Sequence, residues 1–151
     1  MISLKEYRIY CEELAFAIYE IDAVLPITID KEMTRCINNL SKDKICLFWL
    51  PPAAKDDSSN PDSDREENSC ILFVMQKYDP QRSSSIDCLE RTQPIVEELK
   101  RRLKNDSLSP CQRLGSEISA LDTLPETDFY GTLAGWSIGF KIKTDNLWPT
   151  D

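Results

Sequence analysis

Thr132 to Thr144, Thr-Leu-Ala-Gly-Trp-Ser-Ile-Gly-Phe-Lys-Ile-Lys-Thr, is the stretch of sequence that decides the fold. Large apolar side chains occupy alternate positions in it, and small or charged ones lie between them. A period of two with one apolar face is typical of a half-buried β-strand. We therefore expect four residues of this stretch to be core anchors on its buried face: Trp136, Ile138, Phe140 and Ile142.

Two continuous apolar runs, Ile45–Leu50 and Cys70–Met75, supply further strands. Both runs have the length of a strand, and the first is stopped by two prolines. An uninterrupted apolar run indicates a strand with both faces covered, or with one face on the core and one on a partner. The sequence predicts that the two runs are neighbouring antiparallel strands.

Two segments have the three- and four-residue apolar spacing of helices. The first begins at a capping box formed by Ser3 and Glu6 and is predicted to continue to about Glu20. The second is predicted over 87–104 with a disturbance before Pro94, because a proline inside a helix costs one hydrogen bond and about 3 kcal/mol. Either Thr92 or Gln93 caps a new helix there, or the helix bends.

The remaining segments give weaker patterns. Residues 21–30 contain Pro26 and predict an edge strand or an extended connection, followed by a short helical turn through Met33 and Ile37. Residues 111–122 predict a strand and 123–131 a turn. The fold class that follows is α+β, with a mainly antiparallel sheet of about four strands and two helices packed on one face.

A chain of 151 residues predicts a single domain over 1–151. Residues 52–69 are almost free of large apolar side chains and carry six acidic against two basic residues, which is half of the net charge of −8. Such a segment buries too little apolar surface to offset its ordering entropy, so we predict an acidic flexible loop there. Residues 145–151 are expected to form a C-terminal tail.

The composition argues against catalysis. The chain has no histidine, its six cysteines show no metal-binding spacing, and its four glycines do not form a phosphate-binding loop. We therefore expect no enzyme activity and no catalytic, cofactor-binding or metal-binding residues. The acidic net charge opposes direct nucleic-acid binding, and no apolar run is long enough for a membrane helix.

Four aromatic or apolar residues are candidates for contact with a partner protein. Phe16 and Tyr19 lie off the apolar stripe of the first predicted helix, and Leu147 and Trp148 lie in the short C-terminal tail. A large apolar side chain outside the core is either tucked against its edge or presented to a neighbour.

The layout resembles that of the small tail-terminator, or head–tail joining, proteins of tailed bacteriophages and prophages. The resemblance is carried by the order of elements and by three short motifs: Arg91-Thr92 with Leu99-x-x-x-Leu103, the acidic turn Pro125-Glu126-Thr127-Asp128, and the closing strand Gly135-Trp136-Ser137-Ile138-Gly139-Phe140. It implies a virion-assembly subunit that forms a homo-oligomeric ring and contacts other virion proteins. It also implies a location in the host cytoplasm or the virion, and the N-terminus lacks the pattern of a signal peptide.

An alternative of another class is an acidic adaptor that resembles the secretion chaperones. Those proteins are also small, acidic and α+β. Such an adaptor would act as a dimer and present strands or helix grooves to a segment of a partner protein.

Overall fold

Two paired 13-residue strands form the centre of the fold, β4 (Arg65–Lys77) and β6 (Leu133–Asp145). The computed structural model describes residues 1–28, 31–56, 65–108 and 118–145. The other elements in these ranges are α1 (Leu4–Phe16), β1 (Ala23–Pro26), α2 (Lys31–Asn39), β2 (Ile45–Trp49), β3 (Ala53–Asp56), α3 (Ser85–Leu108) and β5 (Ile118–Phe129).

The strand order across the sheet is β1-β2-β4-β6-β5, and β3 pairs with the N-terminal part of β4. β1 runs parallel to β2, and the other pairings are antiparallel. The predicted α+β class and the antiparallel pairing of β2 with β4 are confirmed. The predicted details are corrected: the described residues form six strands in a mixed sheet, together with three helices.

The parallel pair β1–β2 has a physical cause in α2. Parallel neighbours cannot be joined by a tight turn and need a crossover, which is usually helical. The sequence predicts only a short helical turn between the two strands, whereas α2 is a nine-residue helix that makes this crossover.

One face of the sheet is covered by α1 and α3, as predicted for two helices. The core on this face joins side chains from both helices to side chains of β2, β4 and β6. Three of the four predicted anchors are buried there, Ile138, Phe140 and Ile142. Trp136 is half-buried, packs against the same core, and donates its indole N–H to the carbonyl oxygen of Leu89 at 3.0 Å.

The opposite face carries a smaller second core, which the prediction lacks. Met33 and Ile37 of α2 pack there on side chains of β2, β4 and β6, namely Cys46, Phe48, Met75 and Leu133. Phe129, at the end of β5, stacks against Phe48 and Phe73 with ring centroids 5.4 and 5.0 Å apart. The apolar runs of β2 and β4 are therefore covered on both faces within one chain.

The ends of the predicted helices are partly confirmed. Ser3 caps α1 by accepting the N–H of Glu6, but α1 ends at Phe16 rather than near Glu20. The chain turns there to bring Ile18 into the core before it enters β1. α3 is longer than predicted.

α3 continues through Pro94 as one helix, so it does not divide there into two. Pro94 has no N–H to donate to the carbonyl of Glu90. Glu90 lies on the exposed side of the helix, so leaving its carbonyl without this donor costs little free energy. Two residues before Pro94, the buried hydroxyl of Thr92 donates to the carbonyl of Cys88 at 2.6 Å.

The strand at 111–122 and the turn at 123–131 are both shifted in the structure. Residues 118–122 belong to β5, and residues 111–117 lie outside the described ranges. β5 continues through Pro125 to Phe129, because an edge strand tolerates a missing backbone N–H. The turn is short, with Tyr130 and Gly131 in the left-handed region at φ 51 and 75.

Strand pairing extends into both ends of the predicted acidic loop. Ala53–Asp56 pairs with the register positions Glu66–Ser69 of β4, and residues 57–64 lie outside the described ranges. The predicted loop boundaries at 52 and 69 are thus too wide. The pattern of apolar residues does not reveal these strand ends because they carry mostly polar side chains.

Gly135 of β6 lies where no side chain fits. A Cβ atom built at this position would overlap the backbone carbonyl of Val74 on the neighbouring strand, whereas one built at Gly139 meets nothing within 4 Å. Of these two glycines, only Gly135 therefore lies in close contact with the backbone of the neighbouring strand.

We expect Gly135→Ala to lower the free energy of unfolding by about 2–3 kcal/mol, because the backbone of β4 must move to accept the methyl group. Gly139→Ala is the matched control on the same strand and should change it by less than about 1 kcal/mol, since alanine only restricts the unfolded chain. Urea unfolding of both variants measures the difference. Equal stability of the two would contradict the close packing of β4 on β6.

Lys77, at the end of β4, holds the C-terminal end of α2. Its ammonium group donates to three backbone carbonyls, those of Ile37 at 2.8 Å, Asn38 at 3.3 Å and Leu40 at 2.8 Å. The carbonyl of Ile37 also accepts the N–H of Leu40 at 3.2 Å. The partial negative charge of carbonyls at a helix C-terminus favours a cation. One side chain thus attaches α2 to the sheet.

Lys77→Met should therefore destabilise the protein by about 1–3 kcal/mol, since it leaves three carbonyls without their charged donor. Lys104→Met, on the exposed side of α3, is the control and should change stability by no more than about 0.5 kcal/mol. Denaturant midpoints at constant slope give both values. A Lys77 variant as stable as the control would show that this contact contributes nothing.

Candidate protein-binding surface

An open cavity lies between the C-terminal half of α1 and strand β1. Its volume is about 210 Å³, and it is lined by Glu12, Ala15, Phe16, Ile21, Asp22, Ala23 and Val24. Together with Tyr19, these residues are called the α1–β1 surface below. The volume is smaller than the roughly 300–1,000 Å³ of small-molecule sites, so the cavity suits one large side chain better than a cofactor.

Two aromatic side chains of this surface face solvent. Phe16 is 94% exposed and Tyr19 is 97% exposed. Phe16 is exposed because of helical phase: the buried stripe of α1 contains Tyr7, Cys11 and Leu14, and Phe16 lies off this stripe in the last turn. Tyr19 follows the end of α1, in the turn that leads to β1. The sequence places both aromatics off the stripe, and the structure shows them in the open rather than at the edge of the core.

The neighbouring strand β1 is an outer strand of the sheet. Apolar residues in and around it, among them Ile21, Val24 and Leu25, are only half-buried. β1 is four residues long and ends in Pro26, which has no N–H to donate. A short strand that ends in proline is a poor template for adding another strand, so its half-buried side chains are the more available contacts.

The surface is acidic. Between Arg8 and Lys31 the sequence has no basic residue and five acidic ones, Glu12, Glu13, Glu20, Asp22 and Asp30. Ion pairs from outside this segment are long: Arg8 lies 3.8 Å from Glu12, and Lys44 lies 3.8 Å from Asp22. Asp22 also accepts the backbone N–H of Ile45 at 2.9 Å, which fixes its carboxylate beside the cavity.

The C-terminal end of α1 adds to this negative potential. Its last turn contains no basic residue, so the partial negative charge of its terminal carbonyls is not offset locally. Arg102 of α3 reaches the carbonyl of Ala17 at a long 3.5 Å. Helix end and carboxylates thus make one electronegative surface with aromatic side chains on it.

Sequence reasoning found Phe16 and Tyr19 but missed Glu12, Asp22 and Val24. Leu147 and Trp148, the other two predicted contact residues, lie outside the described ranges. The sequence does contain a signal for the two missed carboxylates: the 22 residues between Arg8 and Lys31 include no basic residue.

Four of the five described cysteines, all except Cys36, are buried and lack the features of reactive groups. Burial raises the pKa of the Cys11, Cys46 and Cys70 thiols to about 12, and burial also raises the pKa of Cys88. A thiol with so high a pKa is protonated at neutral pH and is a poor nucleophile. Within the described ranges, no three acidic or cysteine side chains lie close enough together to hold a metal ion.

No protein-family profile matches the sequence. No curated protein shows significant similarity to it. Among the described helices, none is both long enough and apolar enough to cross a membrane.

The thiol environments predict a pattern of alkylation. At about pH 8, iodoacetamide should leave Cys11, Cys46 and Cys70 unmodified in the folded protein and modify them in denaturant, because only the thiolate reacts. Cys36, which is partly exposed, is the internal control and should react first. Peptide mass spectrometry reads each site. Fast native labelling of the three buried thiols would show that they are accessible and ionised.

Proposed function

We propose that the protein is a non-enzymatic subunit of a protein assembly and binds its partners through the α1–β1 surface. The observation that carries this proposal is the exposure of Phe16 and Tyr19: both side chains are more than nine-tenths exposed, and Phe16 lines an open cavity at the edge of the sheet. Exposed aromatic side chains are enriched in interfaces and often dominate their energy.

The surroundings of the two aromatics support an interface rather than a chance exposure. The cavity next to them has an apolar floor, and β1 leaves further apolar side chains half-covered. A cluster of this kind differs from single exposed apolar residues, which are normal on any protein surface. A partner that covers the cluster would bury the apolar area and enclose the carboxylates of Glu12 and Asp22.

The finer proposal is a ring subunit like those of tail terminators of phages and prophages, acting in the host cytoplasm or the virion. A ring needs a heterologous contact, in which two different surfaces of each copy meet. The sheet offers two such surfaces at opposite edges, since β1 is one outer strand and β5 is the other. Leu124 of β5 is 60% exposed.

Both edges are acidic, which affects how a ring would form. β5 carries Asp122, Glu126 and Asp128 and no basic residue, and direct contact with the α1–β1 surface would bring like charges together. Assembly would then need screening salt or a partner protein as template. The adaptor alternative uses the same surface in a dimer, so stoichiometry separates the two.

Co-expression with the structural proteins encoded next to this gene, followed by native mass spectrometry, tests the proposal. We expect a complex whose formation is lost in the double variant Phe16→Ser, Tyr19→Ser, because serine removes the apolar contact area. Ile86→Ser is the matched control, since Ile86 is another exposed apolar residue, at the start of α3, and should leave the complex intact.

Three results would contradict the proposal. One is a protein that stays monomeric with all of these neighbours. Another is a complex indifferent to the Phe16 and Tyr19 changes. The third is turnover of a small substrate by the purified chain.

A further inference from the structure

We propose that the α1–β1 surface binds a cationic segment of a different protein, with an arginine side chain lying in the cavity between Phe16 and Asp22. This inference rests on the proposed binding function and adds the chemistry of the partner. Three properties of the surface specify that chemistry: its charge, its aromatic faces and the size of its cavity.

The charge selects a cation. Glu12 and Asp22 line the cavity itself, and so do Ala15 and Phe16 from the C-terminal end of α1. Three basic side chains of the described residues approach this region: Arg8 and Lys44 each lie 3.8 Å from one carboxylate, and Arg102 lies 3.5 Å from the carbonyl oxygen of Ala17. A positively charged partner would gain from both carboxylates and from the helix end.

The aromatic rings favour arginine over lysine. Guanidinium is planar and weakly hydrated, so it stacks on aromatic faces while it donates to carboxylates in a fixed geometry. Phe16 and Tyr19 offer such faces without obstruction from the rest of the described chain, as their exposure shows. The ammonium group of lysine is compact and strongly hydrated and gains less from a ring.

The cavity fits the stem of the same side chain. Its floor is apolar and consists of Ala15, Ile21, Ala23 and Val24. Glu12 and Asp22 supply its carboxylates. A volume of about 210 Å³ accommodates one long side chain. Arginine buries its methylene groups on apolar surface and keeps its charge at the rim, which matches this distribution of floor and rim.

A second copy of this chain is a poorer occupant. The described surface at the opposite edge, on β5, is itself acidic, and the whole chain has a net charge of −8. Contact between two such surfaces would be opposed by like-charge repulsion. The basic side chains Lys100 and Arg101 of α3 are already paired within that helix, with Glu97 and Glu98 respectively, so the occupant is a basic segment of another protein.

Fluorescence anisotropy with labelled peptides tests this proposal on the full chain. The probe is a short peptide of alternating leucine and arginine, and the controls replace every arginine by glutamine or by lysine. We expect the arginine peptide to bind best and the glutamine peptide to bind least. Affinity should fall between about 0.1 M and about 1 M salt, because the Debye length shortens from ~10 Å to ~3 Å.

Variants locate the binding site. The double variant Glu12→Gln, Asp22→Asn keeps the shapes of both side chains and the hydrogen bond to Ile45 but removes both charges. It should lower the affinity for the arginine peptide by about fivefold to tenfold. Glu32→Gln with Glu90→Gln is the control with the same change in net charge on exposed residues elsewhere. It should have less than about a twofold effect through the overall field.

A third double variant separates ring stacking from apolar contact. Phe16→Leu with Tyr19→Leu keeps apolar side chains but removes the aromatic faces, and should reduce the preference for arginine over lysine several-fold. Circular dichroism of each variant confirms that it is folded, so that loss of binding is not loss of structure.

The outcomes distinguish this inference from the proposed function. Equal binding of the arginine and glutamine peptides, or no binding of either, would overturn the inference. Equal effects of the two charge-neutralising double variants would do so as well. If the complex with neighbouring proteins still depends on Phe16 and Tyr19, the binding function stands and only the cationic partner is wrong. If neither peptide nor protein binding depends on these residues, both proposals fail.

Discussion

The long antiparallel ladder between β4 and β6 is the constraint on which the rest of the structure depends. Each strand has 13 residues, and their pairing runs unbroken from one end to the other. In its central part β4 is apolar on both faces, so each face has to be covered. α1 and α3 cover one, and α2 with Phe129 covers the other. The close approach at Gly135 and the cap from Lys77 are local consequences of this arrangement.

The β4–β6 pair also positions polar contacts near the start of β4 and the end of β6. Asn68 of β4 is fully buried, yet its amide is satisfied: it accepts the N–H of Ile2 at 3.2 Å and donates to the carbonyl of Ile142 at 3.1 Å. It also donates to the hydroxyl of Thr144 at 3.0 Å. A buried amide costs free energy unless it is paired, so these bonds fix the start of the chain on the β4–β6 pair and set where α1 begins.

The sequence predicted those parts of the fold in which one local pattern dominates. The alternation in 132–144 predicted β6, the two apolar runs predicted β2 and the centre of β4, and the capping box predicted the start of α1. The prediction failed where tertiary contacts override local preference. α2 has few apolar residues and is held by Lys77 from a distant strand, and β5 continues through Pro125 because an edge position tolerates it.

The candidate site, like the fold, was predicted only where a local pattern in the sequence indicates it. Helical phase alone identified Phe16, whereas Glu12 and Asp22 are ten residues apart and meet only because the chain turns from α1 into β1. No periodic pattern reports a proximity of that kind. A run of sequence without positive charge does report a local electrostatic property, and it is the feature of the sequence that corresponds to the surface found in the structure.

The way the sheet ends determines what kind of recognition is open to this protein. β1 is short and finishes in Pro26, while β5 contains Pro125, two register irregularities and several carboxylates. Prolines, bulges and charges at outer strands are features that oppose pairing with strands of other chains. Backbone addition is thus disfavoured at both edges, which leaves side chains as the contacts for the partner proposed above. Beside β1 those side chains are two exposed aromatic rings, the apolar residues that line the cavity, and the carboxylates of Glu12 and Asp22, of which Asp22 is held by the N–H of Ile45. A cationic side chain with an apolar stem complements this combination better than an extended strand of arbitrary sequence does.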